Sequence, residues 1–116
     1  MGKLTTHVLN TADGIPGAGI KVSLYKLGQA REKVLDTVTN SDGRCDKPIL
    51  EGDALKPGVY ELEFAAGDYF RSQGKALPEP LFVDVVVLRF GIANAAQHYH
   101  VPLLVSPWSY STYRGS

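Results

Sequence analysis

The chain has 116 residues, 44% of them hydrophobic and 21% charged, which is the usual balance of one soluble globular domain spanning residues 1–116. Its formal net charge is zero, and this argues against nucleic-acid partners and against binding to anionic membranes. The single cysteine, Cys45, cannot form an internal disulfide. Together with an N-terminal segment that lacks the apolar core of a signal peptide, it favours a cytoplasmic location.

Period-two alternation of apolar and polar side chains recurs along the chain and predicts half-buried strands. The alternation is clearest over residues 4–9, 20–25 and 59–64. Further strands are predicted near residues 32–39, 81–90, 98–106 and 109–114, and one short helix near Asp68–Gly74. Clusters of Gly, Pro, Asn and Asp separate these segments as turns. The pattern predicts an all-β antiparallel sandwich of seven to eight strands with one short helix.

Two of the predicted strands have unusual sequences. The segment Val83–Phe90 is apolar on both faces, which is typical of a central strand buried on each side. In segment 98–106, Pro102 cannot donate to a ladder, so we expect it at a sheet edge or a bulge. One face of this segment is suited to a core and carries Tyr99, Val101, Leu103 and Val105; the other carries His98, His100, Pro102 and Leu104.

The three histidines are candidates for acid–base chemistry, because an imidazole titrates near neutral pH. His7 lies opposite Val8 in its alternating segment, so His7 and His100 are both expected on faces turned away from the core. Exposed surface histidines are one alternative. A metal site is another, since His98, His100 and His7 give the ligand count of a catalytic zinc, although no cysteine or acidic cluster accompanies them.

Arg44 follows the turn Ser41–Gly43 and could donate a bidentate fork to a carboxylate or an imide-like pair of oxygens. A solvated turn arginine is the alternative. The last eleven residues, 106–116, carry three aromatic rings and several hydroxyls. Chain ends usually fray, whereas so many potential partners favour a tail packed into a site. Arg114 could instead form a surface ion pair with the terminal carboxylate of Ser116.

Taken together, these residues resemble the 5-hydroxyisourate hydrolase family, the enzymatic relatives of transthyretin. The most specific parts are the run His-Tyr-His-Val-Pro at 98–102 and the terminal Tyr-Arg-Gly-Ser at 113–116. The resemblance also covers residues 6–10, 41–44, 90–92 and the rest of the tail. It implies a transthyretin-like β-sandwich in a homotetramer, a dimer of dimers, with active sites at the dimer–dimer interface.

The resemblance implies an activity in purine catabolism that needs no cofactor and no metal. The family opens the six-membered ring of 5-hydroxyisourate, the product of urate oxidation, to give 2-oxo-4-hydroxy-4-carboxy-5-ureidoimidazoline. Carried over by position, the catalytic residues are His7, Arg44, His100 and Ser116, and the substrate-binding residues are His7, Arg44, Tyr113 and Arg114.

Hydrolysis of a cyclic amide needs a positioned water, a base and donors for the developing oxyanion. We expect His7 and His100 to activate the water and move protons, with either one as the resting base. Arg44, joined by Arg114, would bind the substrate and its developing charge, and Ser116 would orient a histidine or the water. The alternatives are a non-enzymatic small-ligand carrier of the transthyretin type and a structural sandwich module of a larger surface protein.

Overall fold

The structure is a computed structural model that describes residues 2–115. Within these residues, nine strands form two sheets, joined by one α-helix, one 3₁₀ turn and loops. In chain order the elements are β1 (Lys3–Asn10), β2 (Ile15–Pro16), β3 (Lys21–Leu27), β4 (Arg31–Val38), β5 (Leu50–Glu51), the 3₁₀ turn (Gly52–Ala54), β6 (Gly58–Ala65), α1 (Ala66–Ser72), β7 (Val85–Ile92), β8 (Tyr99–Val105) and β9 (Tyr110–Thr112). None of the helical segments in residues 2–115 is long and apolar enough to cross a membrane.

The two sheets enclose one apolar core. Sheet A has the order β2–β1–β8–β9, with β5 also paired to β1, and sheet B has the order β4–β3–β6–β7. The core is formed by alternate residues of the strands that face each other, among them Leu4, Val8, Val22, Leu24, Tyr60, Leu62, Phe64, Val86, Leu103 and Val105. The predicted all-β sandwich with one short helix is confirmed, and so is the core face of β8.

The predicted antiparallel arrangement holds for all but one of the strand pairs in residues 2–115. Strands β1 and β8 run parallel over seven residue pairs, from Leu4 opposite Tyr99 to Asn10 opposite Val105. No hairpin joins these two strands, so no local turn dictates an antiparallel arrangement. Residues 2–115 contain nine strands, whereas seven to eight were predicted. Strands β2 and β5 are only two residues long, which is too short to show alternation in the sequence.

Strand β7 is not the buried central strand that its sequence predicts. It lies at the edge of sheet B, paired with β6 alone among the described strands, and it begins at Val85. Val85 and Val87 are 54% and 41% exposed on the outer face. The apolar character of both faces therefore has two origins: one face packs on the core, and the other leaves valines on the molecular surface.

Pro102 lies inside sheet A, between β1 and β9, and not at an edge or a bulge as predicted. The pairing of β8 with β9 ends at Leu103 opposite Thr112 and resumes in the same register with His100 opposite Gly115. Pro102 lies in the gap between these pairs. Within residues 2–115 no ladder hydrogen bond is formed there, so the N–H that proline lacks is not needed. Its carbonyl oxygen accepts a hydrogen bond of 2.7 Å from the Thr112 hydroxyl.

The remaining boundaries differ from prediction by a few residues. The helix spans Ala66–Ser72 and not Asp68–Gly74, and Gly74 follows it with a φ of 75°. That left-handed conformation is typical of the residue after a helix C-terminus, where glycine is preferred. Strand β9 is shorter than the predicted 109–114, because the chain leaves the ladder after Thr112.

Candidate active site

The parallel register of β1 and β8 gathers the first candidate residues on the outer face of sheet A. Thr5 lies directly opposite His100, and His7 lies opposite Pro102. Paired residues of adjacent strands point to the same side of a sheet, and the neighbouring Val8 and Leu103 are fully buried. His7 and His100 therefore lie on the face turned away from the core, as their alternation predicts.

A tight turn brings Arg44 beside His7. The N–H of Val8 donates to the carbonyl oxygen of Gly43 over 2.8 Å, and His7 and Arg44 form an isolated antiparallel backbone pair. Gly43 has a φ of 77°, and a side chain there would overlap the carbonyl oxygen of Val8. Glycine is therefore required at this position, both for its left-handed backbone and for the close approach to β1.

Asn40 holds the same turn together and was not singled out as a functional residue from the sequence. Its Oδ1 accepts hydrogen bonds from the backbone N–H groups of Asp42 (2.9 Å) and Arg44 (3.2 Å), and its Nδ2 donates to Asp46 (2.9 Å). The available signal is the turn sequence Asn-Ser-Asp-Gly at 40–43, because an Asn side chain can accept a hydrogen bond from the backbone N–H two residues later.

An open groove of about 470 Å³ lies over this face of sheet A. The residues that line it are all of polar or charged type: Lys3, Thr5, Arg44, His98 and His100. His100 is half-buried, and burial is the first reason that its pKa lies below the usual histidine value; the charges of Arg44 and His7 lower this pKa further. At neutral pH the imidazole of His100 is therefore neutral and able to accept a proton.

His7 is held by the turn that carries Arg44. Its Nε2 lies 3.0 Å from the carbonyl oxygen of Asp42. A carbonyl oxygen can only accept, so Nε2 is the donor and carries the proton of the neutral ring. The lone pair of a neutral His7 therefore lies on Nδ1.

Thr5 is a second residue that the sequence reasoning missed. Its hydroxyl oxygen lies 2.8 Å from Nδ1 of His100, although the two residues are 95 positions apart in sequence. The signal was present in the alternation of β1, where Thr5 shares the face of His7. Only the parallel register with β8 shows that Thr5 is the neighbour of His100.

The C-terminal tail packs against this site. The N–H of Gly115 donates to the carbonyl oxygen of His100 over 2.7 Å. Arg114 points elsewhere: its guanidinium donates to the carbonyl oxygen of His98 (2.9 Å) and lies 4.2 Å from the centre of the Tyr99 ring. Tyr113 is 62% exposed. Ser116, predicted to be catalytic, lies outside the described residues.

The structure thus brings His7, Arg44 and His100 together, and it does not place Tyr113 or Arg114 in the groove of the same chain. Those two line a separate cavity of about 220 Å³ at the open edge between β7 and β9. Their substrate-binding roles stay predictions. Among residues 2–115, no three side chains of His, Cys, Asp or Glu lie close enough together to hold a metal ion.

A β-sandwich whose outer sheet face gathers two histidines and an arginine around a polar groove has the features of a protein that binds and converts a small polar molecule. The chain belongs to the HIUase/Transthyretin family, whose family model matches residues 4–115. The resemblance found in the sequence is therefore confirmed, and with it the transthyretin-like fold.

Relatives of known name cover the full length of the chain. It is 64% identical to the 5-hydroxyisourate hydrolase of Pseudomonas aeruginosa, over all of this chain and 93% of that protein. It is 62% identical to the 5-hydroxyisourate hydrolase of Ralstonia nicotianae, over all of both chains. A probable 5-hydroxyisourate hydrolase of Schizosaccharomyces pombe is more distant, with 39% identity over 97% of this chain and 90% of that protein.

Solved structures agree with this placement. A 5-hydroxyisourate hydrolase from Klebsiella pneumoniae superposes with a TM-score of 0.83 at 33% identity, over all of both chains. An (S)-allantoin synthase gives a TM-score of 0.95 at 47% identity, over 99% of this chain and 44% of that chain, so this protein spans less than half of the synthase. Sea bream transthyretin, solved in complex with thyroxine, gives 0.86 at 25% identity, over 97% of this chain and 94% of that chain.

Proposed function

We propose that this chain is a 5-hydroxyisourate hydrolase of purine catabolism, which opens the six-membered ring to give 2-oxo-4-hydroxy-4-carboxy-5-ureidoimidazoline. The observation that carries the proposal is the placement of Arg44 and His100 in one groove lined by polar residues, with His7 paired to Arg44 on the same face of sheet A. The chain combines that groove with 64% identity to a 5-hydroxyisourate hydrolase over its full length. These features favour the hydrolase over the carrier, because a lining without apolar side chains suits a small polar heterocycle.

The reaction adds water to a ring carbonyl and breaks the ring C–N bond. A base takes one proton from the water as its oxygen bonds to the carbonyl carbon, and the carbonyl oxygen becomes an oxyanion. The tetrahedral species then expels the ring nitrogen, which takes a proton, and the attacked carbon becomes a carboxylic acid, which releases its proton to solvent to give the carboxylate of the product. The protein must supply the base, the proton for nitrogen and the stabilisation of the oxyanion.

His100 fits the role of the base. It is neutral at neutral pH for the reasons given above, and it lines the groove where a substrate would lie. Once protonated, it can return the proton to the leaving nitrogen. No covalent intermediate is needed, so the rate gain comes from position and electrostatics.

Arg44 and His7 fit the roles of substrate binding and proton transfer. A guanidinium presents a planar fork of donors that matches the carbonyl oxygens of a planar heterocycle and remains charged as the oxyanion forms. Its turn is fixed to β1 through Gly43, so the charge is held in place before the reaction begins. His7 is fixed by the same turn through Asp42 and supplies a second imidazole on the same sheet face, where its charge lowers the pKa of His100.

We infer further that four copies assemble as a dimer of dimers, with the sites at the dimer–dimer interface. On the outer face of sheet A, two residues along β1 from His7, the apolar side chain of Leu9 is 37% exposed. An apolar surface around a polar centre is typical of a face that a second copy covers. The edge strand β7, with Val85 and Val87 exposed, offers a second contact surface. A Ser116 contribution to catalysis, as the resemblance implies, belongs to the same proposal.

We also infer that the reaction takes place in the cytoplasm and that residues 1–116 act as one domain. The single cysteine supports a reducing compartment, because it cannot form an intramolecular disulfide. One apolar core shared by both sheets supports a single folding unit.

The activity is tested by generating 5-hydroxyisourate in situ from urate and an oxidase and following its ultraviolet decay. We expect the protein to accelerate the decay well above the spontaneous rate, and we expect His100→Gln at the same concentration to lose most of that acceleration. A decay rate unchanged by the wild-type protein would overturn the proposal. Sedimentation or scattering of the same sample tests the tetramer independently, and Val87→Lys should weaken it.

A further inference from the structure

The ring of His100 is held on two sides by different parts of the chain. On the β1 side, the Thr5 hydroxyl lies 2.8 Å from Nδ1. On the tail side, the ring carbon Cδ2 lies against Gly115, where a Cβ atom would come within 2.7 Å of it. Since Nδ1 and Cδ2 are the two flanks of an imidazole, the remaining edge, Cε1–Nε2, points away from the sheet toward the groove.

We propose that Thr5 is a positioning residue that holds His100 as its Nδ1–H tautomer and so presents the lone pair of Nε2 to the substrate water. The proposal rests on the hydrolase activity proposed above. In this arrangement Nδ1–H donates to the Thr5 hydroxyl oxygen, and the Thr5 proton turns toward the groove.

The need for such an acceptor follows from the charge around His100. Taking a proton at Nε2 creates an imidazolium, which the charges of Arg44 and His7 disfavour. Lys3 and His98 line the same groove and add no negative charge. Among residues 2–115, no carboxylate is hydrogen-bonded to His100. The Thr5 oxygen therefore takes the place that an aspartate has in many histidine sites, fixing the tautomer and accepting from the charged ring.

A neutral hydroxyl serves this chemistry in a way that a carboxylate would not. It accepts from Nδ1–H both before and after the proton transfer, so neither ring nor strand must move during the reaction. It adds no charge, so the pKa of His100 stays low enough for the ring to be neutral at working pH. The strand pair fixes the hydroxyl directly, because Thr5 and His100 are partners in the β1–β8 register.

The kinetic test compares Thr5→Val, Thr5→Ser and Thr11→Val. Valine keeps the shape and strand preference of threonine but removes the hydroxyl, so we expect kcat to fall about tenfold, equivalent to about 1.4 kcal/mol, with KM little changed. Serine keeps the hydroxyl and should restore most of the rate. Thr11 is the matched control, since it directly follows β1 and its hydroxyl donates to the carbonyl of Val105 at the far end of β8. Wild-type kcat in Thr5→Val would overturn the proposal.

A second measurement is independent of activity and of any variant at Thr5. In protein labelled with ¹⁵N-histidine, at about pH 8, we expect the His100 Nδ1 signal to be that of a protonated nitrogen and the Nε2 signal to be that of an unprotonated one. The signals are assigned by their loss in His100→Gln. The reverse pattern would overturn the tautomer and hence the proposal. Absence of hydrolysis with the expected tautomer would instead contradict the proposed function and leave the Thr5–His100 geometry standing.

Discussion

The backbone N–H of Gly115 donates to the carbonyl oxygen of His100 over 2.7 Å, and a Cβ atom at position 115 would come within 2.7 Å of the imidazole Cδ2. The tail therefore reaches the site through its backbone at a residue without a side chain. Since Gly115 has no positive φ, its requirement here is space and not backbone freedom. A residue with any side chain at 115 must displace either the tail or the ring of His100.

We expect Gly115→Ala to lower activity by up to about 100-fold with little change in thermal stability. The added methyl group would push the imidazole away from Thr5, and a displacement of about 1 Å in a catalytic group can cost that much. Measurements are the ultraviolet assay and a melting curve of the same sample. Ser111→Ala is the matched control, because Ser111 is exposed on β9 and is paired with Leu104, four residues along β8 from His100. Equal activity of both variants would contradict the steric argument.

The sequence predicts the outer-face placement of the histidines because that placement depends only on alternation. His7 and His100 each lie one residue from a buried neighbour, and period two leaves no other orientation. The Asn40–Gly43 turn is equally local, since its residues are those that turns prefer. The parallel pairing of β1 with β8 could not be read this way, because it joins segments separated by most of the chain.

The same limit explains what sequence reasoning missed at the site. Thr5 is an ordinary strand residue until β8 is placed beside it. Arg114 lies next to Gly115 in the chain but on the opposite side of the tail, over the ring of Tyr99, so adjacency in a motif does not show a shared cavity. Val85 and Val87 show that an apolar residue in a strand does not reveal whether it faces a core or the surface.

Arg44→Ala should lower kcat/KM by about 100-fold or more while the fold stays intact, because a charged donor is lost where an oxyanion develops. Arg44→Lys should recover only part of this loss, since an ammonium keeps the charge without the planar fork. Arg71→Ala is the control: this arginine lies on α1 and is paired with Asp68 and Glu79. Wild-type kcat/KM in Arg44→Ala, with a normal melting curve, would remove Arg44 from the mechanism.

Deleting residues 113–116 should abolish most activity and leave the sandwich folded. Strand β9 ends at Thr112, so the ladder with β8 and the core behind it are retained. What is lost is the wall beside His100, together with the contacts that Arg114 makes with His98 and Tyr99. The ultraviolet assay and circular dichroism report the two effects separately. A deleted protein with full activity would show that the tail is not part of the site.

The pH dependence of kcat/KM should reflect the lowered pKa of His100. If His100 acts as the base, activity is full at neutral pH and falls on the acid side with a midpoint below the ordinary value of about 6.5. Burial is the largest cause of the lowered pKa, and the charge of Arg44 is the second. Arg44→Gln should therefore move the acid limb to higher pH in whatever activity remains. An unmoved limb would indicate that another group controls it.

The stability of the fold should also depend on pH through His100, and the lowered pKa fixes the direction of the change. Because the folded pKa of His100 is lowered, protonation favours the unfolded chain. The stabilisation is therefore fully present above about pH 6.5 and is lost as the pH falls through the folded pKa. His100→Gln does not titrate, so the difference in melting temperature between wild type and this variant should change over that window. A difference that is constant with pH would contradict the assignment.

Glu61 should be a determinant of stability and not of activity. Its side chain is only 9% exposed on the outer face of sheet B, where it accepts from Nε of Arg31 (2.8 Å) and Nε of Arg89 (3.0 Å). Hydrogen bonds from Arg31, and to a smaller extent from Arg89, lower the pKa of Glu61. Its contribution to folding stability is therefore present above the unfolded pKa of about 4.3 and is lost as the pH falls through the lower folded pKa.

Glu61→Ala should therefore lower the melting temperature clearly, because it leaves two guanidinium groups without their shared carboxylate. Glu61→Gln should lie between this variant and the wild type, since it keeps the shape without the charge. Asp36→Ala removes an exposed pair with Lys33 on the same sheet and should change the melting temperature little. Activity per folded molecule should be unchanged in all three, since the groove lies on sheet A. Loss of activity in folded Glu61→Ala would show that the two sheets are coupled through the core.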